Sequence, residues 1–333
     1  MLGLFLLGAV VPAVGTSQAD LLAQGIAALH DKEPAQQTLG VSYLESVIQN
    51  APTSSEAGTA CYQLGCYHKA DRDKSLAYFR QGYGIPGKDQ SNAGISVAHT
   101  LVATGKKLDA AVVFEEVGTK FPDKADYAFY RAGMCHLGES RGKADKSALR
   151  HKAMDLFARS SAAGNLEAKL QVLGMRWEDC CDEKADYAQL IPDLEAYSED
   201  AKAPAYARAR CLLMIAEHSQ DISENNRVLE FTDRVLTPQF KKCRAERAWA
   251  MRVKAEALGD LGRWNDAVDI YTDLYSQFTD SDNFAGNNVR AIALYYKADA
   301  LKRLGLNDES GTVMAILRQE YPDTIYAQSG GLE

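Results

Sequence analysis

The segment GRWNDAVDIYTDLYSQFTDS, Gly262–Ser281, has the spacing of one amphipathic helix opened by a tight turn. The same spacing returns in GKKLDAAVVFEEVGTKFPDK from Gly105 and in GLNDESGTVMAILRQEYPDT from Gly305. Aligned on these glycines, the copies carry Ala98, Ala255 and Ala298 seven residues earlier and Leu101, Leu258 and Leu301 four earlier. Five residues later stand Ala110, Ala267 and Ser310, and eight later Val113, Ile270 and Val313. Nine later come Phe114, Tyr271 and Met314, and twelve later Val117, Leu274 and Leu317. Phe121, Phe278 and Tyr321 follow at sixteen, with Pro122, Thr279 and Pro322 next to them.

This pattern describes a helical hairpin. Small and large apolar residues before the glycine form one face of a first helix, and the glycine supplies the turn. The alanine after it lets a second helix come close, while the aromatic four residues on lies on the same face and fills the space beside it. Proline then stops the second helix in two of the copies. One such pair cannot enclose a core, and stacked pairs can. Asp266, Asp269 and Asp273 look like a carboxylate cluster, but Asp269 and Asp273 lie one turn apart on the outer side of the second helix.

The three copies, around 91–124, 248–281 and 291–324, resemble the tetratricopeptide repeat. Residues 127–164 resemble a fourth with a lengthened turn, carrying Gly133 and Leu137 in the first helix and Ala153 and Phe157 in the second. Residues 58–83 resemble another, with Asp71 near the turn and Ser75 and Phe79 in the small and aromatic places. Lys152–Gly174 is also similar to the related Sel1-like repeat, and less regular helix pairs fill 18–50, 167–199 and 204–236. The resemblance implies an all-α fold, a right-handed α-solenoid of antiparallel helix pairs. The stretch from Phe240 to Leu261 lacks proline and reads as one long helix, and SDNFAGNNV, Ser281–Val289, as a protruding loop. The chain is thus expected to divide into a leader over 1–19, irregular repeats over 20–239 and a better-formed C-terminal part over 240–333.

Composition narrows the partners. The 333 residues are 46% hydrophobic and 25% charged, with nine prolines and a formal charge of -8, a balance that repels nucleic-acid phosphates and anionic lipid. Leu2–Val11 is an apolar run of secretory length, too short to span a bilayer, although no Lys or Arg precedes it. Export to the periplasm is the expectation from that run, with a cytoplasmic chain bearing a buried N-terminal helix as the alternative. Seven cysteines, Cys61, Cys66, Cys135, Cys180, Cys181, Cys211 and Cys243, are too sparse for a disulfide framework and mostly sit in helical patterns.

Catalytic signatures are weak. The sequence has no HExxH, phosphate-binding loop, dinucleotide-binding glycine pattern or nucleophile elbow. Cys61, Cys66 and His68 lack zinc-ligand spacing, and Asp280-Ser281-Asp282-Asn283 opens like a calcium loop but has Ala285 and Ala291 where the glycine and glutamate belong. The six histidines are far apart along the chain. No metal or cofactor is expected.

What remains is surface. The resemblance implies that ligands lie against the inner face made by the first helix of each pair. The matching residues are Trp249, Arg252, Glu256 and Asp260 in one copy, Ile292, Tyr295, Asp299, Lys302 and Arg303 in the next, and Asn92, Ile95 and His99 in the earlier one. Aromatic and arginine side chains on such a face suit a protein or peptide partner. Family members that hold a terminal carboxylate use a Lys and Asn clamp, and here Arg252 with Glu256, or Tyr295 with Asp299, occupy those places. The expected function is a non-enzymatic scaffold or adaptor of the bacterial cell envelope. Two alternatives stand beside it: an enzyme or thiol-redox site around 175–200, where Cys180 and Cys181 adjoin, and a homo-oligomer formed through 240–261.

Overall fold

The computed structural model describes residues 16–140, 146–183, 187–284 and 286–328, so the apolar run Leu2–Val11 lies outside the described residues. The chain forms two compact units that divide between Val172 and Leu173. In the first, α1 (Gln18–Leu29) is followed by α2 (Pro34–Asn50), α3 (Ser55–Tyr67) by α4 (Arg72–Gly84), α5 (Gln90–Ala103) by α6 (Lys107–Lys120), and α7 (Ala125–Ser140) by α8 (Lys146–Ala162). The division falls within α9 (Leu166–Glu183). The second unit continues with α10 (Ile191–Glu199), α11 (Ala205–Asp221), α12 (Asn225–Leu236), α13 (Arg244–Asp260), α14 (Trp264–Gln277), α15 (Val289–Arg303), α16 (Asn307–Glu320) and the short α17 (Ile325–Gln328). Within the first unit α1 to α8 pack one on the next, and within the second α10 to α17 do the same, as in an all-α solenoid.

The three aligned glycines end their first helices in the left-handed region, with φ of 80° at Gly105, 74° at Gly262 and 80° at Gly305. Each turn closes the same way. Arg263 N donates to Leu258 O at 2.8 Å and Gly262 N to Gly259 O at 2.8 Å, with equivalent bonds from Lys106 and Gly105 and from Leu306 and Gly305. The paired bonds satisfy helix carbonyls that would otherwise be left open. The same bonds appear after α11, where Glu224 N donates to Ser219 O and Ser223 itself takes φ 60°. Ser223 therefore stands in the glycine place of a further copy. Its register sets Ala216 seven residues before the turn and Val228 and Phe231 five and eight after it, all buried.

The second helices bury the residues that the repeat singles out. Ala110 and Ala267 are fully buried, and so are Ala98, Ala255 and Ala298 on the facing helices. Tyr271 and Leu274 of α14 pack with Ala255 and Leu258 of α13 in one core. Serine replaces alanine in two copies, and both hydroxyls find the same kind of partner across the pair. Ser310 Oγ donates to Ala298 O at 2.7 Å and Ser75 Oγ to Gly65 O at 2.8 Å. A buried hydroxyl is tolerated at this close approach because the first helix offers a carbonyl to it. In the pair α7–α8, a Cβ added at Gly133 would come within 2.7 Å of the Phe157 ring, so the aromatic occupies the space that glycine leaves.

Two expectations need correction. The helix read over 240–261 begins at Arg244, because Pro238–Phe240 forms a 3-10 turn with Phe240 buried, and Lys241 and Lys242 make the exposed bend. Arg247 Nη1 then donates to Leu236 O at 2.7 Å and ties this bend to the end of α12. The loop expected to protrude at 281–289 is a tied turn with paired strands β1 (Asn283–Phe284) and β2 (Asn287–Asn288). Asp282 anchors it by accepting from Arg244 Nη2 and Thr279 N, both at 2.7 Å.

The shared turn geometry gives a paired test. Gly262→Ala places a Cβ in the left-handed region without any clash and should cost about 1 kcal/mol. Ser223→Gly relieves the same strain and should raise stability by roughly 0.5 kcal/mol. Urea unfolding of both variants should give opposite signs, and equal signs would contradict the common turn.

Candidate functional site

The first helices of the second unit carry a polar and aromatic cluster. Counting back six residues from the turns at Ser223, Gly262 and Gly305 reaches Glu217 on α11, Glu256 on α13 and Asp299 on α15. Trp249, Arg252, Glu256 and Asp260 fall three or four residues apart, which places them along one stripe of α13. Arg252 Nη1 donates to Glu256 Oε1 at 2.6 Å, and both side chains keep only about a fifth of their surface exposed (22% and 21%). The other carboxylate oxygen of Glu256 accepts from Gln220 Nε2 of α11 at 3.2 Å.

Tyrosines close the cluster on its other side. The Arg252 guanidinium also lies near the Tyr296 hydroxyl of α15. The Tyr296 ring stacks on Tyr271 of α14, with centroids 5.9 Å apart and planes at 18°. Tyr295 meets Tyr296 and Tyr326 of α17, each at 5.3 Å. Burial pushes the phenols of Tyr271, Tyr296 and Tyr326 upward, so they remain neutral donors.

Glu217 is the unusual group. Burial pushes its carboxyl from 4.5 up to about 7, against the opposing charge of Arg252 and the nearby polar edge of the Trp249 indole, with Asp221 and Glu256 adding repulsion. A carboxyl placed this way changes charge near neutral pH and is sensitive to any ligand charge that comes close.

The structure brings Trp249, Arg252 and Glu256 together around Glu217, whereas Tyr295 packs on Tyr296 and Tyr326 and Asp299 lies 3.7 Å from Arg303. Asp260 and Lys302 are exposed near the ends of their helices, and Arg303 lies over the Trp264 ring at 5.8 Å. Sequence reasoning missed Glu217, Gln220, Tyr296 and Tyr326. The signal for the first two was the hidden register of α11, obscured because Ser223 stands where the other copies have glycine. In the first unit, His99 Nε2 lies 2.6 Å from the Tyr127 hydroxyl with its ring edge-on to Phe114, so it takes part in helix packing.

The remaining chemical candidates are engaged elsewhere. Burial pushes the Cys61 thiol up to about 11, and His68 stacks on Tyr78 at 5.7 Å. Cys180 is buried, while the exposed Cys181 has its Sγ 3.1 Å from the Tyr187 hydroxyl, and the Tyr187 ring stacks on His218 at 4.0 Å. Asp280 accepts from Tyr321 at 2.6 Å and from Arg290 at 3.0 Å, which uses a carboxylate that the calcium-loop reading would need. Among the described residues, no group of three or more His, Cys, Asp or Glu is placed to hold a metal. No helix among them is long and apolar enough to cross a membrane.

A family model described as tetratricopeptide repeat matches residues 292–324, which run from α15 to the end of α16 and the turn after it. The C-terminal helix pair is a tetratricopeptide repeat. Repeats of this type are typical of non-enzymatic protein–protein interaction scaffolds, and the Tyr295–Tyr296 part of the cluster lies on the first helix of this tetratricopeptide pair. Among solved structures, the chain is similar to one described as functional characterization of Pseudomonas aeruginosa pilF, with 16% identity, 72% of this chain and 95% of that chain covered, and a TM-score of 0.47. A second is an assembly chaperone of RpL4, Acl4 (residues 1–338), with 14% identity, 89% and 100% covered, and a TM-score of 0.29. No curated protein sequence matches the chain.

The cluster can be tested through stability. The folded state binds the Glu217 proton more tightly than the unfolded chain, so its contribution to stability declines as pH rises from about 4.5 to about 7 and stays lost above that. Glu217→Gln should therefore stabilise the protein relative to wild type by about 3 kcal/mol at pH 8, an advantage that shrinks toward pH 4.5. Denaturant unfolding across this range checks it; a pH-independent difference would contradict the burial of Glu217.

Proposed function

We propose that the protein is an adaptor that binds a segment of another protein on the inner face of α11, α13 and α15 and carries out no reaction of its own. The observation behind this reading is the set of Trp249, Arg252, Glu256, Tyr295 and Tyr296 on successive first helices, where Glu256 accepts from Arg252 and from Gln220 of α11 and Tyr296 meets both Tyr295 and Tyr271. Aromatic and arginine side chains held rigid before a ligand arrives lose little entropy on binding, which is why they dominate binding energy in interfaces. The self-association reading is less favoured, because α13 buries Ala250, Met251, Val253, Ala257 and Leu258 within its own chain and packs on α11, α12, α14 and α15.

A cell-envelope location after export is part of this proposal and rests on the apolar run Leu2–Val11. It accounts for an adaptor with few charges in its first 19 residues and no spanning helix among the described ones. Fractionation of cells that make the full chain, with N-terminal sequencing of the product, should recover a processed form outside the cytoplasm. An intact chain in the cytoplasm would contradict it.

The binding face is tested by affinity capture with the purified chain and with Trp249→Ala and Tyr295→Ala. Each variant should keep its helical circular dichroism and lose roughly tenfold or more of the captured partner, as expected for interface anchors. Undiminished capture by both variants would place the binding face elsewhere.

A further inference from the structure

The adaptor reading leaves the chemistry of the bound segment open, and charge distribution addresses it. Residues 173–333 hold 28 Asp and Glu against 19 Lys and Arg, whereas residues 1–172 hold 17 against 18. The net negative charge of the chain therefore belongs to the second unit. On its inner face, carboxylates recur at one repeat position on three successive first helices, as Glu217, Glu256 and Asp299. Glu256 already accepts from both Arg252 and Gln220, so its oxygens are occupied. Asp299 lies 3.7 Å from the exposed Arg303, and Glu217 faces Trp249.

We propose, resting on the adaptor reading, that this face takes an extended basic peptide segment: Glu217 and Asp299 each receive a lysine or arginine side chain, and Tyr295, Tyr296 and Tyr326 line the peptide between them. Carboxylates at the positions nearest the ligand repel an acidic segment or a terminal carboxylate and favour a cation. Tyrosine faces attract lysine and arginine as well. Packed helices lie about 8–10 Å apart, so two steps from α11 to α15 span about 20 Å. An extended chain covers this in about six residues at 3.3 Å each, which sets the spacing of the two basic side chains.

Proton linkage supports the same occupant. The charged groups facing Glu217 are Arg252 and Glu256 of α13 and Asp221 of α11, and burial keeps its carboxyl partly protonated near neutral pH. An arriving cation favours the ionised form, so binding releases a proton and strengthens as pH rises from about 6 to about 8.

Fluorescence anisotropy with the full chain tests this, using two labelled, N-acetylated and C-amidated synthetic nonapeptides of Ser, Thr and Val that carry either Lys or Glu at their second and eighth positions. The Lys peptide should bind roughly tenfold tighter than the Glu peptide, and Glu217→Gln or Asp299→Asn should each remove most of that difference. Thermal unfolding of each variant confirms that it is folded. Failure of the Lys peptide to bind, equal or tighter binding of the Glu peptide, or full affinity in both variants would overturn the basic-segment proposal. The parent reading is judged separately: if a tighter-binding Glu peptide is released by Tyr295→Ala, the inner face stands and only its charge preference is wrong. If Trp249→Ala and Tyr295→Ala leave the binding of every peptide unchanged, the face itself is wrong.

Discussion

The close approach of paired helices at the small residue after each turn is the contact on which the rest of the structure depends. Ala110 and Ala267 have no exposed surface, and neither do the alanines facing them from α5 and α13. A larger side chain at this point would force the helices apart and open the space that Phe114 and Tyr271 fill. Where serine takes the place, the pair keeps its distance because Ser75 and Ser310 donate to carbonyls of the facing helix. Phe114 and Val117, Tyr271 and Leu274, and Met314 and Leu317 of the second helices are thereby committed to the core.

The consequence for function is a division of labour between helices. Second helices hold the stack together, and first helices keep a stripe that packing does not consume. In the second unit the first helices carry Glu217, Gln220, Trp249, Arg252, Glu256, Tyr295 and Tyr296, with a hydrogen bond from α11 to α13 and stacked rings from α14 to α15. Tyr271 belongs to both systems, since it fills the core beside Ala267 and stacks on Tyr296 of the neighbouring pair. A contact that stabilises the repeat thus also fixes the orientation of the Tyr296 ring in the proposed binding face.

How much of this was legible in the sequence depends on which residues mark the register. Gly105, Gly262 and Gly305 mark it openly, because a left-handed turn favours glycine, and from them the buried alanines, leucines and aromatics follow by counting. Ser223 adopts the same conformation without announcing it, so the pair over 204–236 reads only as a less regular one, and its register, with Glu217, stays hidden. The start of α13 was misplaced because Phe240-Lys241-Lys242-Cys243 contains no proline or glycine, yet burial of Phe240 bends the chain there. Tyr326 sits on a four-residue helix, too short to show a period, and its role comes from packing against Tyr295.

Each helix pair is stabilised by its own small-and-aromatic interlock and by its neighbours, as in a one-dimensional stack. Hydrogen exchange of Tyr271→Ala, followed by mass spectrometry, tests this directly. The lost ring should cost about 3–5 kcal/mol locally and speed exchange in α13, α14, α15 and α16, while α3, α4, α5 and α6 keep their wild-type protection. Uniformly faster exchange along the whole chain, or no change in α13 and α14, would contradict it.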